Sequence, residues 1–178
     1  MEVILIRHTS VDVTPGTCYG QSDVAVATTF EHEAAATKKE LMQCGTIDKA
    51  YSSPLSRARM LAAYCGFPEA ETDPRLLEMN MGDWEMQRYD DITDPYIQEW
   101  YSDYLHLPTP NGESFDMQLE RVSRFLDDLR GKPYRRVAVF AHAGVLVCAS
   151  IYAGLYTLET AWSHVTPYGG IFKMKNEE

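Results

Sequence analysis

An α/β fold with a mostly parallel central sheet follows from three features of the sequence. Residues 3–6 and 137–141 are short, unbroken apolar runs rich in β-branched residues, and a strand that is apolar at every position is covered on both faces. Segments with apolar residues at intervals of three and four alternate with these runs, as βα units require. The length, 178 residues, suits one domain, and 45% hydrophobic residues can fill one core. The expectation is a single domain over residues 1–178 with α/β/α layers.

The elements follow in order. Residues 3–6 form the first strand. Thr28-Thr29-Phe30-Glu31 has the spacing of a capping box. Phe30, Ala34, Thr37, Leu41 and Cys44 continue at helical spacing until Gly45 stops the helix. Residues 47–52 are a second strand. Ser53-Pro54 reads as an N-cap and first-turn proline for a helix reaching Cys65. Residues 73–111 are broken by Pro74, Pro95, Pro108 and Pro110 and rich in aromatics. Their part from 79 to 111 is expected to be a small insert over the active site, with a short helix near 96–104. Phe115, Leu119, Val122, Leu126 and Leu129 mark a strongly amphipathic helix. Residues 136–141 form another buried strand, 145–155 a buried helix and 170–175 a last strand.

Composition narrows the function. Sixteen Lys and Arg against 26 Asp and Glu give a net charge of −10, which argues against nucleic acid or an anionic membrane as partner. It leaves room for one small anion in a local basic pocket. No stretch approaches the ~18–20 apolar residues of a membrane span, and the apolar run at the N-terminus is too short for a signal peptide. A cytoplasmic protein is expected. The four cysteines are scattered without metal spacing, as free thiols in a reducing compartment are. Motifs of dinucleotide enzymes, P-loop NTPases and serine hydrolases are absent from the sequence.

Ligands of parallel sheets gather beyond the carboxyl ends of the strands. His8 directly follows the first strand, in Arg7-His8-Thr9, and His142 follows a later one, in Ala141-His142-Ala143-Gly144. Arg7 and Arg57 offer the positive charge that a phosphoryl group requires. Glu78, in Leu76-Leu77-Glu78-Met79, is the candidate acid.

R-H-T after the first strand, S-S-P-L-x-R-A, L-x-E-x-x-x-G-D-W-E, N-G-E-S before a helix and H-A-G after a later strand together resemble the histidine phosphatase superfamily, the phosphoglycerate mutase-like family, across residues 3–155. Within it, the segments Gly16–Asp23, Gly82–Met86 and Pro110–Ser114, with Arg121-Val122, resemble the α-ribazole phosphatases of cobalamin assembly. The mutases' R-H-G-[EQ]-S-x-W-N opening is replaced here by a start with Thr9-Ser10-Val11.

The resemblance implies a phosphoglycerate mutase-like fold and a phosphomonoesterase with a phosphohistidine intermediate, hydrolysing α-ribazole 5′-phosphate to α-ribazole and phosphate without metal or cofactor. Alternatives are a phosphatase of another small sugar phosphate or phosphoprotein, and a phosphoglycerate mutase. His8 becomes the nucleophile, neutral and held in one tautomer by a neighbouring carbonyl. Arg7, Arg57 (rather than Arg59), His142 and the backbone of Ala143 become the phosphoryl cradle. Glu78 (rather than Glu85) becomes the acid and base. Gly20, Gln21, Ser22, Glu85 and His164 are candidate substrate contacts. The partner is a small phosphomonoester; the oligomeric state stays open.

Overall fold

In the computed structural model, which describes residues 1–176, five strands form one sheet in the order β3-β2-β4-β1-β5. These are β1 Glu2–Arg7, β2 Lys49–Ser52, β3 Glu71–Thr72, β4 Arg136–Ala141 and β5 Ile171–Lys175. All pairings are parallel except β1 with β5. Five α-helices accompany them: α1 Phe30–Met42, α2 Ser56–Tyr64, α3 Tyr96–Ser102, α4 Phe115–Arg130 and α5 Ala143–Tyr152. The expected domain runs two residues further, outside the described residues.

Successive strand residues point to opposite faces, and here both faces are covered. Ile4, Ile6, Ala138 and Phe140 pack with Ala34 and Leu41 of α1 and Ala58 and Leu61 of α2. Val3, Leu5, Val137 and Val139 pack with Val122 and Leu126 of α4 and Leu146 and Ala149 of α5. Three layers result, which is why the strands read as unbroken apolar runs. Trp84, Ile97 and Trp100, from the irregular segment, join the second cluster. Among the described residues no helix is long and apolar enough to cross a membrane.

Several local expectations differ from what forms. The capping box does not close. Thr29 is the N-cap of α1 and its side chain caps no backbone N–H. Instead its hydroxyl donates to Glu33 at 2.5 Å, and Glu33 also accepts from the N–H and hydroxyl of Ser10. Helix α2 begins at Ser56, not after Ser53, and Leu55 is its N-cap. The two-residue strand β3 was not legible, since both of its residues are exposed and give no apolar signal.

Candidate active site

Strand register builds the centre of the site. Arg7 lies opposite Ala141 in the β1–β4 ladder, so His8 and His142 leave neighbouring parallel strands side by side. Their ring centroids are 5.2 Å apart, and both side chains are buried. His8 Nδ1 lies 2.7 Å from the carbonyl oxygen of Thr9. A carbonyl only accepts, so Nδ1 carries the hydrogen and Nε2 keeps its lone pair. Burial, reinforced by the charges of Arg57 and Arg7, lowers the pKa of His8 to about 3 against the pull of the Thr9 bond. The imidazole is neutral at physiological pH. Burial, then the charge of Arg57, likewise holds His142 well below its ordinary value.

His142 Nε2 lies 2.7 Å from Ser53 Oγ. Ser53 Oγ also accepts from the Leu55 N–H at 3.4 Å, one turn ahead of the helix that starts at Ser56. The serine follows β2, which pairs with β4 on the other side from β1. Its hydroxyl therefore meets the second histidine from behind.

Two arginines flank the histidines. Arg57 is fully buried; its Nη1 donates to the Ser22 carbonyl at 2.8 Å and its Nη2 to the Gly20 carbonyl at 2.6 Å. Arg7 donates to the Thr166 carbonyl at 2.8 Å and stacks its guanidinium 3.9 Å from the centre of the Tyr168 ring. Burial lowers the pKa of Arg57 from its ordinary value, yet a guanidinium stays charged in proteins. Among the described residues neither arginine hydrogen-bonds a carboxylate. The charge of Glu78 acts on Arg57 only through space, and a buried cation without a direct anionic partner is costly.

Seven buried side-chain polar atoms among the described residues lack a hydrogen-bond partner. Four of them, Arg7 Nε, Thr9 Oγ1, Arg57 Nε and His142 Nδ1, cluster at this point. Native proteins leave few such atoms, so their concentration in one place calls for a reason.

Glu78 faces the same centre from the loop before the irregular segment. Its Oε1 accepts from the Met79 N–H at 2.9 Å and from Gln118 Nε2 at 2.7 Å. Its Oε2 accepts from the Gly144 N–H at 3.1 Å, in the first turn of α5, where helices leave donors open. Only glycine fits there: a Cβ on residue 144 would stand 2.3 Å from Glu78 Oε1. Arg121 braces the loop from below, donating to the carbonyls of Arg75, Leu77 and Glu78 and to the carboxylate of Glu113. Glu113 in turn accepts from the Asn80 N–H at 2.8 Å.

The expected substrate contacts are placed differently. Glu85 accepts from the backbone N–H groups of Gly20, Gln21 and Met81 and from the Ser22 hydroxyl. Gln21 Nε2 donates to the Glu78 carbonyl. The polar atoms of Gly20, Gln21, Ser22 and Glu85 thus hold one another, and through two carbonyls they hold Arg57. Gly20 is required by close approach, since a Cβ there would fall 1.8 Å from the Met79 carbonyl oxygen. His164 is exposed and stacks on Tyr156 at 4.0 Å. Ala143 is the first residue of α5, with its N–H among the open first-turn donors.

Beside Glu78 opens a cavity of about 560 Å³, walled by Tyr19, Met79, Met81, Trp100, Tyr101 and Trp162 among others. Glu78 is the one formally charged side chain in its wall. Most of the wall comes from residues 79–111.

Sequence reasoning passed over Gln118, Ser53, Arg121 and Glu113 as site residues. Gln118 carried a signal: it lies three residues after Phe115 and four before Val122, on the apolar stripe of α4, where a polar residue needs a partner. Ser53 carried none, because its tertiary contact competes with an equally good local role.

Two histidines on adjacent strand ends, two arginines without a carboxylate hydrogen bond and one carboxylate are thus brought together at the carboxyl end of the sheet. The sequence profile of the histidine phosphatase superfamily (branch 1) matches residues 3–178, and the chain belongs to that family. Among its relatives is the adenosylcobalamin/alpha-ribazole phosphatase of Escherichia coli (strain K12), 29% identical over 154 residues, covering 82% of this chain and 75% of that one. The alpha-ribazole phosphatase of Shigella flexneri superposes with a TM-score of 0.87 at 25% identity, over 98% of this chain and 90% of that one. A phosphoglycerate mutase of Thermus thermophilus gives 0.77 at 27% identity, over 98% and 93%. The fold is thus phosphoglycerate mutase-like, and relatives carry both phosphatase and mutase names.

Proposed function

We propose that the protein is a phosphomonoesterase that works through a phosphohistidine at His8 and takes α-ribazole 5′-phosphate as substrate. The observation that carries this reading is the set of unpartnered donors, Arg7 Nε, Arg57 Nε and His142 Nδ1, gathered beside a histidine whose Nε2 is free. A phosphoryl group supplies the acceptors and the charge that these donors lack.

In the first step the Nε2 lone pair of His8 forms the N–P bond while the P–O bond to the leaving group breaks. Glu78 gives its proton to the departing alkoxide. In the second step water attacks phosphorus, Glu78 takes a proton from it, and the N–P bond breaks, returning its electron pair to His8. Phosphate leaves and Glu78 is again protonated. The transition state spreads charge over the equatorial oxygens, so positioning and fixed positive charge supply most of the catalysis. With Ser53 donating to His142 Nε2, the hydrogen of His142 sits on Nδ1, the unpartnered atom. The N–H of Ala143 adds a backbone donor.

The leaving group lies in the cavity beside Glu78, within one domain whose residues 79–111 form the wall. Two facts favour α-ribazole there: the names carried by the relatives, and a wall of aromatic and thioether side chains that suits a nucleoside with an aromatic base. Phosphoglycerate and phosphoserine leaving groups bring a carboxylate, and among the described residues no cationic side chain lines this wall to receive it. The test is kcat/KM on α-ribazole 5′-phosphate beside 3-phosphoglycerate, phosphoserine and a sugar phosphate. A preference of at least about tenfold for the first is expected, the worth of roughly 1.4 kcal/mol of differential binding. Equal turnover of all four would overturn the substrate assignment, and faster phosphoryl transfer between phosphoglycerates than hydrolysis would overturn the hydrolase.

A further inference from the structure

We propose that Gln118 is a positioning residue that confines the transferable proton of Glu78 to Oε2. The inference rests on the acid role of Glu78 given above and adds a residue that this role requires.

Gln118 is fully buried on α4. Its Nε2 donates to Glu78 Oε1 at 2.7 Å, and the Met79 N–H reaches the same oxygen at 2.9 Å. Two N–H groups thus converge on Oε1. A hydrogen on that oxygen would meet donor hydrogens, so the carboxyl hydrogen is excluded from it. Oε2 accepts only from the Gly144 N–H, at 3.1 Å, and keeps a lone pair for a proton.

The other end of the amide supports the assignment. Gln118 Oε1 is buried without a partner, which is costly for an acceptor. An apolar residue at this point of the α4 stripe would satisfy packing with no such cost. Gly144 leaves the space both groups occupy: a Cβ there would come within 2.3 Å of Glu78 Oε1 and within 2.9 Å of both Gln118 amide atoms. The chain gives up a side chain at 144 and a paired oxygen at 118 to keep one N–H on one carboxylate oxygen.

The consequence is specific to leaving groups that need a proton. An alkoxide leaves only if protonated, whereas 4-nitrophenolate leaves without help. The experiment compares kcat/KM for 2-phenylethyl phosphate and 4-nitrophenyl phosphate in the wild type and in Gln118→Met. The expected result is a loss of at least about tenfold on the alkyl ester, with the aryl ester within about twofold. Equal losses on both esters, or none, overturn the proposal, since a purely structural role does not distinguish leaving groups. Should thermal unfolding show that Gln118→Met does not fold, Gln118→Leu carries the same test. Its side chain has no donor, so the alkyl-to-aryl ratio must fall there too, and an unchanged ratio overturns the role. Wild type inert toward both esters would instead overturn the phosphatase reading itself.

Discussion

Arg57 and Arg121 are both largely withdrawn from water, yet they sit in opposite electrostatic situations. Arg121 directs Nε and Nη2 at the Glu113 carboxylate and fixes the loop through the carbonyls of Arg75, Leu77 and Glu78. Arg57, fully buried, meets only two carbonyls, and its Nε has no partner. The first arrangement is complete within the chain. The second leaves a donor open, as the proposed phosphoryl cradle requires. A buried cation that its own chain pairs costs less than one left open.

The strongest way to break this contrast is at His8, the proposed nucleophile beside the open arginine. His8→Ala should lower kcat/KM by about 10³-fold or more, and no phosphate label should remain on the variant denatured in alkaline detergent after mixing with labelled substrate, conditions in which a P–N bond of the wild type survives. A labelled His8→Ala chain would place the phosphoenzyme elsewhere.

The arginines themselves should then separate stability from activity. Arg121→Met strands Glu113 and unties the Glu78 loop, costing about 2–3 kcal/mol. That is less than the roughly 3–5 kcal/mol of a fully buried pair, because the two side chains keep 17% and 16% exposure. Arg57→Met removes a cation that no carboxylate hydrogen-bonds but leaves the Ser22 and Gly20 carbonyls without their donor, so it should cost less stability than Arg121→Met, while activity falls about 10²-fold or more. Urea unfolding of both variants beside their kcat/KM checks the pair; loss of stability in Arg57→Met alone would reverse the comparison.

Acid should reveal the open site next. His8 is neutral when folded, with a pKa of about 3, and ionises near 6.5 when unfolded. Below pH 6.5 the unfolded chain therefore binds the extra proton, and stability drops by up to ~1.4 kcal/mol per pH unit until about pH 3. Above 6.5 this contribution is fully present. The stability of His8→Gln relative to wild type should thus rise by roughly 2–3 kcal/mol between pH 7 and pH 4.5. A pH-independent difference would mean that His8 titrates normally in the fold.

The smallest effect is stabilisation by an added anion. Inorganic phosphate at about 10 times its Kd should add ~1.4 kcal/mol to wild type and little to Arg57→Met, read as a shift in Tm. An equal shift in both would place the anion elsewhere.

Much of this was legible in the chain. The unbroken apolar runs around Val3 and Val137 announced buried parallel strands, and the positions of His8 and His142 just beyond them announced the site. The motif around Arg57 and the loop around Glu78 followed by likeness to a family. What stayed illegible depended on which groups meet across long sequence distances. Ser53 looked like a helix cap because local chemistry permits it, and only the β2–β4 register hands it to His142. Gly20, Gln21, Ser22 and Glu85 looked like ligand contacts because polar loop residues near a site usually are. In the fold their polar atoms close on one another, since a buried loop must satisfy its own backbone. Gln118 was a polar interruption in an apolar stripe whose partner lies 40 residues earlier in the chain. By itself the sequence determined which residues can do chemistry and which strands carry them, because periodicity and residue type are local properties. The tertiary structure alone decided which donors are paired and which are left open, because pairing depends on three-dimensional neighbours, and at this site the open donors are what a phosphoryl group would meet.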